Sequence, residues 1–359
     1  MMNKTSMSRK SVEVTNHAAM TKLKRRFSSQ NAGLILLMFF ILLALPFIPG
    51  FKPWMANQLS LVLVYVIAAQ GISILTGYTG LVSVGHGGFL AIGAYTSALL
   101  VKYTGVDIAI AIVASACMAG AFGFMLGLVF LRLSGPFLAI GTLGFAFFIG
   151  TLINNVPFFE GREGISLPAN KFMGVVLSDV SFYFLGLGFF SLVTLFIFSF
   201  VRSSVGRSLM ALRDAEKAAQ SCGVNRFFYR MLAFTVSATI TGAAGALSGF
   251  SVRYVSAEVY SDIWYSVDIL VAVIVGGSAM MMGPIVGGTF VALLPFLLET
   301  LADLSFILKG LILIAVLIFA PAGICELIAR PFKRWRQLQI ESVGKETLVN
   351  APSALMRQH

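Results

Sequence analysis

An all-α, polytopic integral membrane protein with about ten transmembrane helices, eight being the lower bound, is the fold class that the sequence predicts. Three observations carry it. Of the 359 residues, 58% are hydrophobic and only 11% are charged, whereas an ordinary soluble domain carries roughly 25% charged residues; the mean hydropathy is +0.89. The apolar residues fall in runs close to the roughly 20 that a helix needs to cross about 30 Å of hydrocarbon. Lys and Arg collect in alternate gaps between those runs, which is the asymmetry of the positive-inside rule.

Residues 1–30 form a basic N-terminal segment ending in Lys22, Lys24, Arg25 and Arg26. The apolar run 33–49 follows it in the order of a signal sequence, but it exceeds the roughly 7–15 residues of a signal h-region and no small-x-small cleavage site follows. It is expected to stay as a first span, 31–50. Further spans are expected near 57–76, 82–101, 108–131, 135–156, 180–201, 231–252, 263–282, 284–302 and 307–325, so that a membrane domain fills 31–325 and a polar tail 326–359 follows. With the N-terminus inside, six of the 26 Lys and Arg fall outside (Lys52, Lys102, Arg162, Lys171, Arg253 and Lys309) and the remaining 20 inside. Adding or removing one span before residue 202 would put the Arg-rich segment 202–230 and the basic tail on opposite sides. Both termini are therefore expected to be cytoplasmic.

The formal net charge of +11 does not imply nucleic acid, because the basic residues sit at span ends rather than on one face with interleaved aromatics. The expected surroundings are membrane lipid. Cys117, Cys222 and Cys325 form no CxxC pair or other metal spacing and read as reduced structural thiols. No catalytic, cofactor or metal set emerges. Gly344-Lys345 is followed by Glu346 and lacks the upstream glycine of a phosphate-cradling loop, so this segment holds no ATP by that device.

Three stretches stand out. The first, Gly77 to Phe89 with Gly85, Gly87 and Gly88 around His86, lets backbones approach closely in lipid. It serves either tight packing, with His86 bonded to a neighbour, or a broken helix that lines a path, with Ser83, His86, Gly87 and Gly88 facing a solute. The second is the hydrophilic segment 202–230, where Ala211, Leu212, Ala215, Ala218, Ala219 and Cys222 recur at helical spacing between charges. It predicts one short amphipathic helix stopped at Gly223. The third runs from Asp268 through Gly276-Gly277 to Gly283-Pro284 and Gly287-Gly288, and predicts two helices meeting at a close, broken junction. Asp268 either snorkels to the interface or serves a path together with Gly276 and Gly277.

The segment Arg213, Asp214, Glu216, Lys217, Ala218, Ala219 to Gly223 resembles the cytoplasmic EAA loop of ABC importer permeases, with Lys217 where that pattern has Glu. Taken with GYTGLVSVGHGGFLAIGAYT and FTVSATITGAAGAL, the chain resembles, over most of 57–325, the LivM-type permeases of branched-chain amino acid importers. It departs from that pattern at Ala279 and Met280. The resemblance implies an ABC importer permease fold in a bacterial inner membrane, with Arg213 to Gly223 as the loop that couples to the ATPases. It also implies a homologous second permease subunit, two cytoplasmic ATPase subunits that hold ATP and Mg, a periplasmic solute-binding protein and leucine, isoleucine or valine as cargo. Urea, amides and other amino acids are carried in the same superfamily.

Two other classes are weighed on the residues alone. A stand-alone secondary carrier or channel would need intramembrane carboxylates, for which Asp268 and Glu299 are the candidates. An intramembrane enzyme would use Ser83 with His86, or Cys117, but no third orienting group or oxyanion element accompanies them.

Overall fold

The computed structural model describes Gly33 and residues 38–327, apart from 48, 134, 161–162, 262, 279, 299–303 and 322. The segment 1–30, Glu299, Ala279 and nearly all of the tail thus lie outside the described residues. The chain divides into two compact units, Met1–Lys52 and Pro53–His359. In the first, the described part is an apolar helix, Met38–Phe47, whose last turn is a 3-10 helix.

In the second unit α1 spans Pro53–Thr79, α2 His86–Thr104, α3 Ile108–Phe130, α4 Pro136–Asn155 and α5 Asp179–Arg202. Two short helices, α6 (Ser204–Asp214) and α7 (Glu216–Ser221), precede α8 (Arg226–Val252). Then come α9 (Ala257–Ser261), α10 (Ile263–Gly276), α11 (Gly283–Leu297) and α12 (Ser305–Phe319). Local chemistry sets many of these ends. Pro53 opens α1, where its missing N–H costs nothing. Ser178 caps α5 by accepting from the Ser181 amide at 3.2 Å, and Asn225 caps α8 by accepting from the Phe228 amide at 3.1 Å. Asp179 in the first turn of α5 and Arg202 in its last match the helix dipole.

Five of these helices, α1, α3, α4, α5 and α8, are long and apolar enough to cross a membrane, so the chain is a multi-pass helical membrane protein. The spans expected at 263–282, 284–302 and 307–325 appear as helices of 14, 15 and 15 residues, about 21–23 Å long. Each has an identifiable stop. Gly277 takes φ +106°, Pro295 interrupts α11 near its end, and Ala320 leaves the helical region because it precedes Pro321. The span expected from residue 82 begins at His86, since residues 80–85 are unwound.

Helices α1 and α8 form the centre: 78% and 72% of their most apolar windows are buried, against 39%, 39% and 33% for α3, α4 and α5. The outer helices leave Val113, Met125, Phe137, Ile140, Leu192 and Leu195 exposed, the surface that lipid covers. At the centre the helices meet backbone to backbone. A Cβ on Gly93 of α2 would lie far inside 3.0 Å of the Gly242 carbonyl, one on Gly245 equally close to the Leu90 carbonyl, and one on Gly242 against Ala119 of α3. Small strands complete the unit. β1 (Ile165–Ser166) pairs with β4 (Tyr254–Val255), and β2 (Lys171–Phe172) pairs with β3 (Val175–Val176) around Met173 and Gly174, both at positive φ. Two such residues between paired strands make a tight hairpin turn, which an all-α expectation does not include.

These contacts predict that Gly93→Ala or Gly245→Ala destabilises by about 1–3 kcal/mol through overpacking, read as a lowered unfolding temperature in detergent. Gly188→Ala on α5, where an added Cβ meets nothing within 4 Å, should leave that temperature unchanged or raise it, because Ala is the better helix former by about 1 kcal/mol.

Candidate functional site

The unwound residues 80–85 and the first turn of α2 lie inside the bundle. Ser83 and His86 are 0% and 1% exposed, and the pattern of donors assigns the imidazole tautomer. Ser237 Oγ of α8 donates to the Gly71 carbonyl of α1 at 2.7 Å, so its oxygen accepts the His86 Nε2–H at 2.7 Å. His86 Nδ1 is then the acceptor, and Ser83 Oγ donates to it at 3.0 Å. His86 is a neutral tie between α2, α8 and α1. With both nitrogens engaged, no carboxylate behind the ring and Ser83 sealed from solvent, the pair lacks the parts of a hydrolytic centre. Gly87 gives its amide to Ser266 Oγ of α10 at 2.9 Å, and Gly88 lies against Phe145 and Ala146 of α4. Val84 donates to Thr142 Oγ1 at 3.1 Å. Ser83, His86, Gly87 and Gly88 are thereby one connected set.

Gly276 and Gly277 belong to a second junction. A Cβ on Gly276 would collide with the Gly283 carbonyl, one on Gly283 with the Gly277 carbonyl, and one on Gly287 with the Ala272 carbonyl. The antiparallel pair α10–α11 is thus in backbone contact along its glycines. Gly77, in the last turn of α1, touches the same region, because a Cβ there would overlap the Ser278 carbonyl.

The segment after α5 reaches this point as well. Arg213 Nη1 donates to the Gly77 carbonyl at 2.7 Å while its Nε bonds Asp214 at 2.9 Å. A C-terminal helix carbonyl without an intrahelical donor receives a cation, and charge and dipole agree. Gly80, at φ +74°, leaves room for the Arg213 side chain, whose Cγ would be 3.0 Å from an added Cβ. Glu216 pairs with Arg226 at 2.6 Å and with the nearly buried Arg230 at 2.9 Å, fastening α7 to the start of α8. The single helix expected here is two, because Ala215 adopts φ −151°, ψ 77° and turns the chain between Arg213 and Glu216, whose partners lie on different helices. The stop at Gly223 is as expected. Gly223 takes φ +84°, its amide donates to the Gln220 carbonyl at 2.9 Å and Val224 to Ala219 at 3.1 Å, a Schellman ending. Ala219 faces inward, whereas Lys217, Ala218 and Gly223 are exposed, beside exposed Phe227 and Phe228.

Asp268 is set apart from these junctions. Its carboxylate pairs with Lys309 of α12 at 2.5 Å, the two side chains being 14% and 20% exposed. Elsewhere Glu160 pairs with Lys102 and Asp179 with Arg253. Sequence reasoning missed Gly71, Ser237, Ser266 and Arg230, which complete the contacts of residues it singled out. A serine at helical spacing on an apolar face was the available signal, without any pointer to its partner.

A multi-pass helical membrane protein with unwound, glycine-rich junctions inside its bundle and a polar helical segment fixed to one end defines a membrane transport subunit as its class. The family model described as "Branched-chain amino acid transport system / permease component" matches residues 54–321, and the chain belongs to that family of ABC importer permeases; it is a permease subunit and not an enzyme. It is 31% identical over 291 residues, covering 74% of this chain and 68% of the relative, to the high-affinity branched-chain amino acid transport system permease protein LivM of Escherichia coli K12. It is 30% identical to LivM of Salmonella typhimurium over 79% of this chain and 71% of the relative. The permease protein LivH of E. coli K12 is 24% identical over 76% of this chain and 95% of its own length. No solved structure matches.

Glu216→Ala is predicted to strip Arg230 of its only carboxylate partner among the described residues and to cost about 1–3 kcal/mol. Limited proteolysis of the purified chain would then cut 203–226 faster. Asp214→Ala, at an exposed position, should change neither stability nor cleavage by more than about 0.5 kcal/mol's worth.

Proposed function

We propose that this chain is the transmembrane permease subunit of an ATP-driven importer that carries leucine, isoleucine and valine across a bacterial inner membrane by alternating access. The observation that carries the proposal is the bond from Arg213 to the Gly77 carbonyl, in a chain whose residues 54–321 match the permease family. It joins the exposed polar segment to a helix end that also contacts the glycine junction at Ser278. Similarity to both LivM and LivH, each named as a permease protein of a high-affinity branched-chain amino acid transport system, supports the cargo and a homologous second permease as partner.

In this reading Lys217, Ala218, Gly223, Phe227 and Phe228 form the surface that meets a cytoplasmic ATPase subunit, and Asp214 sits at its edge. Two such subunits hold ATP and Mg and supply the energy, while a periplasmic binding protein delivers the solute. Arg213 and Glu216 fix the segment to α1 and α8, so displacement of the docked surface moves both central helices. Ser83, His86, Gly87 and Gly88 keep α2 in step with α1, α8 and α10. The α10–α11 pair hinges at Gly276 and Gly277, and Asp268 with Lys309 stands toward the opposite end of the path. About ten crossings, with both termini cytoplasmic, place the basic segments together on the inner side, in accord with the charge asymmetry.

ATP-dependent leucine uptake into proteoliposomes holding this chain, a second permease, ATPases and binding protein tests the proposal. Uptake should require every component. Gly223→Pro, which cannot take the positive φ of the Schellman ending, should abolish uptake in a protein that still inserts. Uptake by this chain alone, indifferent to ATP, would instead establish a secondary carrier or channel.

A further inference from the structure

At the end of the bundle opposite the 203–226 segment is a cavity of about 260 Å³, near the lower end of the range for small-molecule sites, roughly 300 Å³ and above. Five residues that carry hydroxyls, Tyr65, Ser248, Tyr254, Tyr260 and Tyr265, line one side of it. Tyr260 Oη donates to Ser248 Oγ at 3.0 Å. The Tyr65 and Tyr265 rings are 5.3 Å apart, and those of Tyr260 and Tyr265 6.0 Å. The other wall is apolar, with Leu61, Val252, Val259, Ala292 and Phe296. Pro295 lies on it inside α11, so the Val291 carbonyl one turn back lacks its ladder donor.

Two polar features adjoin this wall. Tyr95 is 2% exposed, and its Oη has no hydrogen-bond partner among the described residues. Asp268 lies one helical turn beyond Tyr265 on α10 and carries Lys309 as its counter-ion. Helix packing requires none of this. A lipid-embedded crossing is made by small residues, as in the glycine seams, and polar side chains there are costly without a function.

We infer that this cavity is a solute antechamber within the protomer, which holds the zwitterion of one small aliphatic amino acid before it reaches the glycine junctions. The inference rests on the importer reading above and adds a site to it. The Tyr260 and Ser248 hydroxyls, which bond each other, and the neighbouring phenols are the donors a carboxylate takes over. Tyrosine oxygens and the turn before Pro295 accept from the ammonium, and the aliphatic side chain lies on the apolar wall. Such a site grades solutes by side-chain size, because each methylene in an apolar pocket changes discrimination by about 10-fold or more.

The test uses the full importer in proteoliposomes, driven by ATP, with the binding protein saturated in turn by alanine, valine or leucine so that its own selectivity cancels. Val252→Trp and Val259→Trp fill the cavity from positions that are 52% and 51% exposed and so tolerate bulk. Each should lower leucine uptake about 10-fold and alanine uptake far less. Tyr265→Phe should lower the uptake rate of all three in about equal proportion. Trp variants that insert at wild-type levels and lower the three solutes equally, or none of them, would overturn the antechamber while leaving the importer intact. A wild-type assembly without ATP-driven uptake of any of them would overturn the importer reading, and the antechamber with it.

Discussion

Backbone-to-backbone contact through glycine is the constraint on which the rest of this structure depends. Lipid supplies no hydrophobic drive between helices, so they are held by packing and by interhelical hydrogen bonds. The central helices α1 and α8 must therefore meet their neighbours without intervening side chains. Gly71 lies against Ser237 and Thr241, Gly93 against Gly242, and Gly245 against Leu90. That proximity brings Ser237 within reach of both the Gly71 carbonyl and His86. With a larger residue at any of these crossings the His86 tie would lose its geometry.

The same kind of contact gathers separate elements at one end of the bundle. Gly77 receives Arg213 on its carbonyl and adjoins Ser278, so the end of α1 is shared by the polar segment and the α10–α11 junction. Packed elements of this kind shift between discrete arrangements rather than deforming continuously. The unwound 80–85 and the positive-φ Gly277 are places where such a shift concentrates. Among the described residues the hydrogen bonds placed at helix breaks are what ties these elements together.

Much of this was legible from residues 77–89 and 268–288, because dense glycine in an apolar run has few physical uses. The breaks fell where the glycines were, and Gly223 ended its helix by the geometry its residue type favours. The partners were not legible. His86 and Ser237 are 151 residues apart and Arg213 and Gly77 are 136 apart, and nothing in a single sequence states which helix faces which. The turn at Ala215 was hidden because alanine favours helix; tertiary ties of Arg213 and Glu216 in different directions override that preference. The tyrosine cavity was invisible for the same reason, since Tyr65, Ser248 and Tyr260 come from segments with no common motif. The ends of α10 and α12 were misplaced because hydropathy runs on through Gly277 and Pro321, where helices end by backbone geometry rather than by polarity.

Amide hydrogen exchange in residues 77–85, in the assembled importer with and without nucleotide, tests most directly whether motion of the 203–226 segment reaches the helix breaks through Arg213. Nucleotide should change protection there in the wild type, and the change should vanish in Arg213→Gln with the ATPases still bound. Equal changes in the two proteins would contradict the account.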